Sequence, residues 1–452
     1  MLKIKPILYL FLLASFGSVY GQKQSQLPNI IMILADDMGW ADMSQDGSGI
    51  DTPHLDRLAA EGVKLTSFYA SAPICSPTRA ALLTGRYPHS VGVPELVSNV
   101  QRENVPVLAL DHKAVTIPEA LKPHGYRSMI AGKWHLGHHR PNWPRTHGFD
   151  EFWGSLIGTP GFYNVKETYH NEALAKVDGY FTDQITDKAI GFIRQEKDRP
   201  FFLYVAYNAP HYPLEAPADL VYKYRRRFRD KGLFAIYAAM VEQMDCGIGR
   251  ILDQLDELGL AGNTLVVFCS DNGPSAEITS YGLPGAKISA GPLKEHKFST
   301  HEGGIRVPFL ARWPGKIPAG RVRDQPAITM DLMPTFLQAC GIAPPAGYEM
   351  HGVSILPMLT GRPFERKEPL HWETQHNMAV RKGDWKLVHQ FWTDKPYLYN
   401  LAKDTGEQDD LAGKHPEVVS ELLAAHREWL ARCYPNPVPH QKKRSGYNFP
   451  EE

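Results

Sequence analysis

The stretch Asn29-Ile30-Ile31-Met32-Ile33-Leu34-Ala35-Asp36-Asp37 decides the fold. Its apolar run is typical of a strand that is buried on both faces of a sheet. Two acids follow the run directly, and open α/β sheets bind their ligands at the carboxyl ends of strands. Asp36 and Asp37 are therefore candidate ligands, although a helix N-cap with an acidic first turn explains this pair equally well on its own.

Helical and strand patterns alternate along residues 52–340. Helical patterns cover residues 52–62, 116–122, 184–195, 234–258 and 332–340, and apolar strand patterns cover residues 63–69, 126–131, 201–207 and 264–270. Three of these strands also run into polar residues, namely Lys133 and His135, His211, and Asp271 with Asn272. The alternation predicts an α/β fold with a large, mixed but mostly parallel sheet sandwiched by helices.

The pattern changes in the C-terminal part of the chain. A connection rich in proline and glycine, residues 341–352, precedes short strand patterns near 378–380, 385–389 and 398–401 and a helical pattern near 418–433. We expect a catalytic domain over residues 27–349, a smaller α+β domain with a short antiparallel sheet over 350–434, and a tail over 435–452.

Composition and the N-terminus indicate where the protein works. The chain has 452 residues, 43% apolar and 22% charged, with a formal net charge of zero, so nothing points to a nucleic-acid partner. Residues 1–21 have the layout of a cleavable signal peptide, and no later stretch is apolar enough for a membrane anchor. We expect a periplasmic or secreted protein. The basic run 224–229 is either a solvated helix face or an anion-guiding surface.

Five cysteines are few for an exported chain of this length. Cys246, Cys269, Cys340 and Cys433 are expected to be buried free thiols, and a disulfide among them stays an open alternative. The fifth, Cys75, begins the stretch Cys75-Ser76-Pro77-Thr78-Arg79, in which the proline suits the first turn of a helix. A cysteine at a helix N-terminus is a candidate nucleophile, because the exposed N–H groups stabilise a thiolate.

The polar residues indicate a function as a group that none of them indicates alone. Three acids and an amide oxygen suit a hard cation such as Ca²⁺ or Mg²⁺, whereas zinc sites favour histidine and cysteine. Lysine, arginine and histidine supply the positive charge and the proton transfer that the hydrolysis of a tetrahedral oxyanion ester requires. Each motif alone also fits a turn, a cap or an ordinary surface position.

The order and spacing of seven segments resemble the type I sulfatases, a formylglycine-dependent family of the alkaline-phosphatase-like superfamily, and in particular bacterial polysaccharide sulfatases. The matching segments are 36–37, 75–79 with the following Ala80-Ala81-Leu82-Leu83-Thr84-Gly85-Arg86, 132–137, 209–211, 270–273, 291–297 and 302–308. The resemblance covers residues 29–340, and more loosely the C-terminal region around Lys382-Gly383-Asp384-Trp385.

The resemblance implies a set of roles for these residues. Cys75 would be oxidised to formylglycine by a formylglycine-generating or anaerobic maturation enzyme, and its hydrate would be the nucleophile. Arg79 would hold the hydrate, His135 would assist it, and His211 would protonate the leaving oxygen. Lys133 and Lys297 would neutralise sulfate oxygens. The implied ligands of Ca²⁺, or alternatively Mg²⁺, are Asp36, Asp37, Asp271, Asn272 and the residue derived from Cys75.

The substrate is less well specified. The resemblance and the predicted export together suggest a sulfated polysaccharide or its oligosaccharides. His138, His139 and Arg140 follow the Lys133 loop and are substrate-binding candidates, as is His301, which stands where many relatives have an aromatic residue. Two alternatives stay open, namely a phosphate or phosphonate ester hydrolase and a non-enzymatic binder of sulfated glycans in which Cys75 is unmodified.

Overall fold

The computed structural model of the protein describes residues 27–98, 107–229, 232–276, 289–393 and 395–434. The predicted signal peptide, 1–21, and the predicted tail, 435–452, lie outside the described residues. The strands are, in chain order, β1 Asn29–Ala35, β2 Val63–Leu65, β3 Phe68–Tyr69, β4 Arg127–Lys133, β5 Glu151–Ser155, β6 Thr168–His170, β7 Ala173–Leu174, β8 Phe201–Ala206, β9 Thr264–Ser270, β10 Phe309–Arg312, β11 Arg321–Arg323, β12 Ala327–Ile328, β13 Leu370–Glu373, β14 Asn377–Lys382, β15 Trp385–Gln390 and β16 Tyr397–Asn400. The α-helices are α1 Pro53–Ala60, α2 Cys75–Thr84, α3 Ile117–Leu121, α4 Phe181–Gln195, α5 Ala218–Phe228, α6 Leu233–Glu257, α7 Glu302–Ile305, α8 Leu332–Ala339, α9 Leu356–Leu359 and α10 Pro416–Cys433.

A ten-stranded sheet forms the centre of the molecule, with the strand order β11-β2-β10-β9-β1-β8-β4-β5-β6-β7. Its five central strands, from β9 to β5, are all parallel, and the antiparallel pairs lie toward the two ends. Alternate residues of β1 belong to the two separate apolar cores, with Ile30 in one and Ile31 in the other. Because α2 and α8 contribute to the first core and α4 and α6 to the second, helices cover both faces, which confirms the predicted fold class.

A second, antiparallel sheet has the order β13-β14-β15-β16, and α10 packs against it. This arrangement confirms the short C-terminal antiparallel sheet. The residues Ile355, Leu356 and Met358 pack in the core of the large sheet. The domain boundary between residues 349 and 350 stays a prediction.

Two local features differ from the sequence patterns or resolve them. The strand predicted over 63–69 is two strands, because β2 pairs with β10 and β11 whereas β3 pairs with β12. The basic run lies on α5, where Arg225 and Arg226 are exposed and Arg227 forms an ion pair with Asp51, as a solvated helix face would.

All five cysteines are free, so the expectation of free thiols holds in the structure. Four of them are buried, and Cys246 is half-buried. No helix in the described ranges combines the length and the apolar character that crossing a bilayer requires.

Candidate active site

Four of the predicted ligands meet at the carboxyl edge of the central strands. β1 and β9 are parallel neighbours, and Ala35 pairs with Ser270, so Asp36–Asp37 and Asp271–Asn272 leave the sheet side by side. The amide of Asp37 donates to Asp271 Oδ1 (3.2 Å), and Asn272 Nδ2 donates to Asp37 Oδ1 (2.6 Å). The sheet therefore brings together residues that are more than 230 positions apart in the chain.

Helix α2 points its first residue at this edge. Cys75 is the first residue of α2 and is 2% exposed, and Arg79 lies one turn further along. Arg79 donates from Nε (3.0 Å) and Nη2 (2.7 Å) to Asp271 Oδ2, and from Nη1 to the carbonyl of Lys133 (3.1 Å). A buried guanidinium held by a carboxylate and a carbonyl fixes the position of the helix start relative to the acids.

Two lysines complete the charged group. Lys133, the last residue of β4, places Nζ 2.5 Å from Asp36 Oδ2. Lys297 Nζ contacts both carboxylate oxygens of Asp37, at 2.7 and 2.8 Å. Three buried cations thus face three buried acids. Because the lysines are pinned by carboxylates, their charge stays inside the site rather than reaching solvent.

Burial and neighbouring charges shift the acids in opposite directions. Burial alone would raise the pKa of Asp36, but Lys133 and the other nearby cations hold it well below its usual range. Burial and then repulsion by Asp36 raise the pKa of Asp271, against the attraction of Arg79. Two carboxylates this close repel each other, so both are readily ionised only when additional positive charge binds between them.

Cys75 is poorly suited to act as a thiolate. Burial raises the pKa of its thiol, and the attraction of Lys133 and Lys297 offsets this only in part while Asp36 adds repulsion. The helix N-terminus is present as the sequence predicts. The low dielectric of the site nevertheless keeps the unmodified sulfur protonated.

His135 has its ring orientation fixed on both sides. Its Nε2 lies 3.0 Å from the carbonyl oxygen of Val97, which can only accept, so Nε2 carries the hydrogen. Its Nδ1 then faces Cys75 Sγ at 3.4 Å as an acceptor. Burial, with added repulsion from Lys133, lowers the pKa of His135 well below its usual value, which keeps the ring neutral. His135 is therefore positioned to take a proton from whatever group residue 75 carries.

His211 lies beside Asp36 and Asp37. Its Nδ1 donates to the carbonyl of Tyr212 (2.6 Å), and its Nε2 lies 3.5 Å from Asp37 Oδ2, with the side chain 12% exposed. Burial and repulsion by Lys297 lower the pKa of His211. An approaching anion would oppose that shift and favour the protonated ring.

The oxygen atoms at this edge fit a hard divalent cation. Asp36 Oδ1 and Asn272 Oδ1 are buried and have no hydrogen-bond partner in the described structure. Asp36 and Asp271 offer oxygens within 4.8 Å of each other and of Cys75 Sγ, and Asp36 and Asp37 do so with His211. Unpaired buried carboxylate and amide oxygens are costly unless a cation binds them, and oxygen donors suit Ca²⁺ or Mg²⁺.

The predicted substrate residues lie in different surroundings. His139 and Arg140 follow the loop of Lys133 and His135 and are exposed, whereas His138 is half-buried. The Arg140 guanidinium lies over the ring of Trp143 (5.7 Å). His301 is 1% exposed and bonds Glu407 Oε2 through Nδ1 (3.1 Å), so the structure does not bring it to the acids and lysines. Its role as a substrate contact stays a prediction.

Several supporting residues lack a sequence signal of their own. Ser76 Oγ accepts from the amide of Val97 (3.2 Å) and so holds the carbonyl that orients His135. Gly158 lies so close to His135 that a Cβ there would stand 2.6 Å from the ring. A backbone carbonyl and a close glycine contact leave no residue pattern from which they could be found.

Glycines also explain the segment 302–308. A Cβ at Gly303 would stand 2.1 Å from the carbonyl oxygen of Glu295, and one at Gly304 would stand 2.0 Å from that of Ser299. The amide of Gly303 donates to Lys294 O (2.7 Å), and that of Lys297 donates to Pro274 O (2.9 Å). Helix α7 thus packs directly on the loop that carries Lys297, which only glycine permits.

A mostly parallel sheet with a buried cluster of acids, lysines and histidines beside a cysteine at a helix start is the arrangement of a hydrolase for anionic esters. The model of the family described as Sulfatase matches residues 28–342, and a second model, described as N-sulphoglucosamine sulphohydrolase, C-terminal, matches residues 295–430. The chain belongs to the sulfatase family and is a sulfuric ester hydrolase.

Individual relatives agree with this assignment. The chain is 37% identical to the N-acetylgalactosamine-6-sulfatase of Canis lupus familiaris over 408 residues, which is 85% of this chain and 76% of the relative. It is also 37% identical to the human protein of that name, over 91% of this chain and 87% of the relative. Among solved structures, Ps i-CgsB in complex with k-i-k-neocarrahexaose is similar, with a TM-score of 0.80, 31% identity, and coverage of 92% of this chain and 96% of the other.

Proposed function

We propose that this sulfatase hydrolyses sulfate esters of a sulfated polysaccharide or its oligosaccharides, through a formylglycine hydrate made from Cys75 and with a bound divalent cation. The observation that carries the proposal is the closed group around Cys75, in which Arg79, Lys133 and Lys297 are all buried and each contacts a buried acid. Such a group is balanced without a ligand and becomes cationic when a divalent ion binds, which suits a sulfate ester.

The cofactors supply two kinds of chemistry. A Ca²⁺ ion, or alternatively Mg²⁺, held by Asp36, Asp37, Asp271, Asn272 and residue 75, supplies positive charge beside the sulfate oxygens. The formylglycine hydrate would supply two hydroxyls, one as the nucleophile toward sulfur and one whose deprotonation would allow the release of sulfate. An ordinary serine or cysteine ester has no such internal route to release.

The remaining residues position the reactants and move protons. Arg79 and Asp271 hold the start of α2, and Lys133 and Lys297 offer N–H donors to the sulfate oxygens. His135 accepts the proton of the attacking hydroxyl at Nδ1, because Nε2 is engaged with Val97. His211 donates from Nε2 to the departing sugar oxygen, because Nδ1 is engaged with Tyr212.

The relatives and the predicted address guide the choice of substrate. The mammalian relatives are named for N-acetylgalactosamine 6-sulfate, and one similar structure holds a neocarrahexaose. Sulfated galactans and glycosaminoglycans are therefore the first substrates to test. His138, His139 and Arg140 are proposed contacts to the sugar, and His301 remains a candidate whose effect would pass through Glu407.

The biosynthetic proposals follow the sequence. Residues 1–21 direct export to the periplasm or the medium, a maturation enzyme oxidises Cys75, and the catalytic and smaller domains span 27–349 and 350–434. We propose neither a nucleic-acid partner nor an integral membrane anchor for this protein.

Replacement of Cys75 by alanine tests the proposal. We expect C75A to fold and to bind Ca²⁺ by calorimetry, with turnover of sulfated oligosaccharides and 4-nitrophenyl sulfate reduced to the detection limit. Cys246→Ala, at a half-buried cysteine of α6, is the matched control and should retain activity. Full activity of C75A would sink the mechanism.

Two further measurements separate the alternatives. Mass spectrometry of the Cys75 peptide from the native host should show an aldehyde, and an intact thiol would favour a glycan binder. Paired assays on matched sulfate and phosphate esters should favour sulfate, because the two candidate ligand groups in the described residues share Asp36 and so fit one cation rather than two. A preference for phosphate or phosphonate would contradict the substrate class.

A further inference from the structure

Three exposed aromatic side chains lie in segments that are linked to the candidate site by hydrogen bonds or chain neighbours. Phe298 is 40% exposed, Phe391 is 40% exposed and Trp392 is 41% exposed. Apolar rings of this size are normally buried, and exposed apolar surface beside a polar site marks a contact with a ligand. The role of these rings is not explained by hydrolysis of the ester itself.

Phe298 lies next to the candidate anion-binding site. It follows Lys297, whose Nζ lies 5.8 Å from the Phe298 ring centre, and its amide donates to Pro73 O (2.9 Å), two residues before Cys75. Its backbone has φ 75°, a left-handed conformation that is a true outlier for a bulky residue. Such strain persists where the surroundings impose it, and it is concentrated at ligand sites.

The turn between β13 and β14 joins Phe298 to a second loop of the candidate site. Asn377 Nδ2 donates to the carbonyl of Phe298 (3.1 Å). Two positions earlier, the amide of Gln375 donates to Glu95 Oε1 (2.9 Å), and Glu95 lies in the loop whose Val97 carbonyl orients His135. The turn between β13 and β14 therefore contacts two loops of the candidate site.

The remaining two rings lie in the segment directly after β15. The amide of Phe391 donates to the carbonyl of His376 (2.8 Å), which ties the segment after β15 to the same turn. Trp392 follows in the chain. Hydrogen bonds and chain neighbours thus link Lys297 and Phe298, through the turn before β14, to Phe391 and Trp392.

We propose that Phe298, Phe391 and Trp392 form an aromatic wall that binds the sugar residues next to the sulfated one, so that the enzyme prefers oligosaccharides to sulfated monosaccharides. The proposal rests on the proposed function and adds to it a binding site for the neighbouring, uncharged face of the glycan. The faces of aromatic rings are negative, and the C–H groups on one face of a pyranose are positively polarised and apolar, so the two stack.

The connection to the candidate site favours a glycan over other occupants. Phe298 connects the wall to the candidate site, because it directly follows Lys297 and its ring centre lies 5.8 Å from Lys297 Nζ. We expect a glycan whose sulfated unit contacts Lys297 to place a neighbouring sugar against Phe298.

Kinetics on substrates of graded length test the proposal. Carrageenan and chondroitin sulfate oligosaccharides of two, four and six sugars and 4-nitrophenyl sulfate serve as probes. In the wild type, kcat/KM should rise with length. In Phe298→Ala and Trp392→Ala, the ratio of kcat/KM on the six-sugar substrate to that on 4-nitrophenyl sulfate should fall about tenfold, mainly through KM.

Tyr222→Ala removes an exposed aromatic residue from α5 and is the matched control, for which the ratio should not change. An unchanged ratio in both wall variants, or hydrolysis of 4-nitrophenyl sulfate with no gain for any oligosaccharide, overturns the wall. So does sedimentation in which Trp392→Ala converts a dimer to a monomer without a change in the ratio. Failure to hydrolyse every sulfate ester contradicts the proposed function instead.

Discussion

At the scale of single residues, His135 depends on a glycine that touches its ring. Val97 O and Cys75 Sγ hold the two ring nitrogens, at 3.0 and 3.4 Å, and Gly158 packs against the ring between them. His135 itself has φ 59°, in the left-handed region. Its position is therefore imposed by three separate contacts.

We expect Gly158→Ala to impair catalysis more than stability. The new Cβ would stand 2.6 Å from His135 Cε1 and would push the ring away from residue 75. A displacement of about 1 Å costs about 10²-fold in turnover. The checks are kcat on a sulfated substrate and the thermal midpoint of unfolding.

Gly191→Ala is the control for this change. Gly191 lies in α4, and nothing stands within 4 Å of a Cβ at that position. The control should keep full activity and gain slightly in stability, because alanine is the better helix former. Normal turnover of Gly158→Ala would show that the ring does not need its present position.

The sequence predicts the charged residues of the site but not their supports. Lys133 is the last residue of its strand and Asp36 and Asp271 directly follow theirs, so a strand pattern alone brings them to one edge of the parallel sheet. Ser76 and Gly158 act through a carbonyl and a close contact, which depend on the path of loops. His301 is a candidate because it stands where many relatives have an aromatic residue, and its burial against Glu407 follows from tertiary packing that the sequence does not predict.

At the scale of elements, a buried ion network joins the C-terminal sheet to helix α7 and to the two-stranded sheet of β3 and β12. Lys386 of β15 is fully buried and contacts Glu302 Oε1 (2.8 Å) and Glu407 Oε1 (2.9 Å). Glu302 begins α7, which packs on the loop of Lys297, and it also accepts from Tyr69 of β3 (2.8 Å). Burial alone would raise the pKa of Glu302, but Lys386 and Arg306 lower it to about 2.

We expect Lys386→Met to destabilise the protein strongly. The change leaves Glu302 and Glu407 buried without their shared cation, which costs about 3–5 kcal/mol when one partner of a buried pair is removed. The measurement is the free energy of unfolding in urea, followed with tryptophan fluorescence.

An exposed ion pair on the same sheet provides the comparison. Lys382 of β14 pairs with Glu421 at 2.6 Å, and both side chains are more than half exposed. Lys382→Met should cost about 0–1 kcal/mol. Equal effects of the two substitutions would mean that the buried network does not hold the sheets together.

Long apolar elements are predicted from sequence better than short ones. The pattern over 264–270 matches β9, and that over 234–258 matches α6 within one residue at each end. The strands β6, β7 and β13 went unpredicted, because two to four residues carry too little periodicity to be recognised. The split of 63–69 into β2 and β3 depends on partners that lie far along the chain.

At the scale of the whole molecule, buried histidines lie where the C-terminal part meets the large core. His371 Nδ1 lies 3.3 Å from His426 Nδ1, and the His371 ring stacks on Trp429 at 5.1 Å. His89 packs edge-on against the same tryptophan at 5.4 Å. Burial, with repulsion by His426, lowers the pKa of His371 to about 3 and that of His89 to about 4.

These shifts predict a loss of stability in acid. Below pH 6.5 these histidines bind protons in the unfolded chain, whereas the buried rings of the folded protein stay neutral. The free energy of unfolding therefore falls as the pH drops toward the folded pKa values. Each histidine contributes about 1.4 kcal/mol per pH unit in that window. The urea midpoint measured from pH 7 to pH 4.5 should fall accordingly.

His371→Leu should flatten this dependence by the share of one histidine, whatever its cost at pH 7. His124→Gln, at an exposed position of the large domain, should leave the slope as in the wild type. If the slopes of wild type and His371→Leu coincide, the junction is not the acid-sensitive part of the molecule.

The architecture as a whole follows from the sequence because one rule generates most of it. Apolar runs separated by helices can satisfy their backbone groups only in a parallel sheet with both faces covered, as the two cores on either side of β1 show. The position of the antiparallel edge strands and the packing of Ile355 in the large core depend on long-range contacts, which no local pattern encodes.

The burial of Cys75 limits the stage of folding at which a second protein can reach its thiol. At 2% exposure, its sulfur is out of reach of a second protein once β1, β4 and β9 have closed around α2. If Cys75 is oxidised as proposed, the maturation enzyme would have to act on the newly made chain before folding is complete. Protein that folds first would be trapped with its thiol, so the active fraction of a preparation would record a race between oxidation and folding rather than the stability of the finished enzyme.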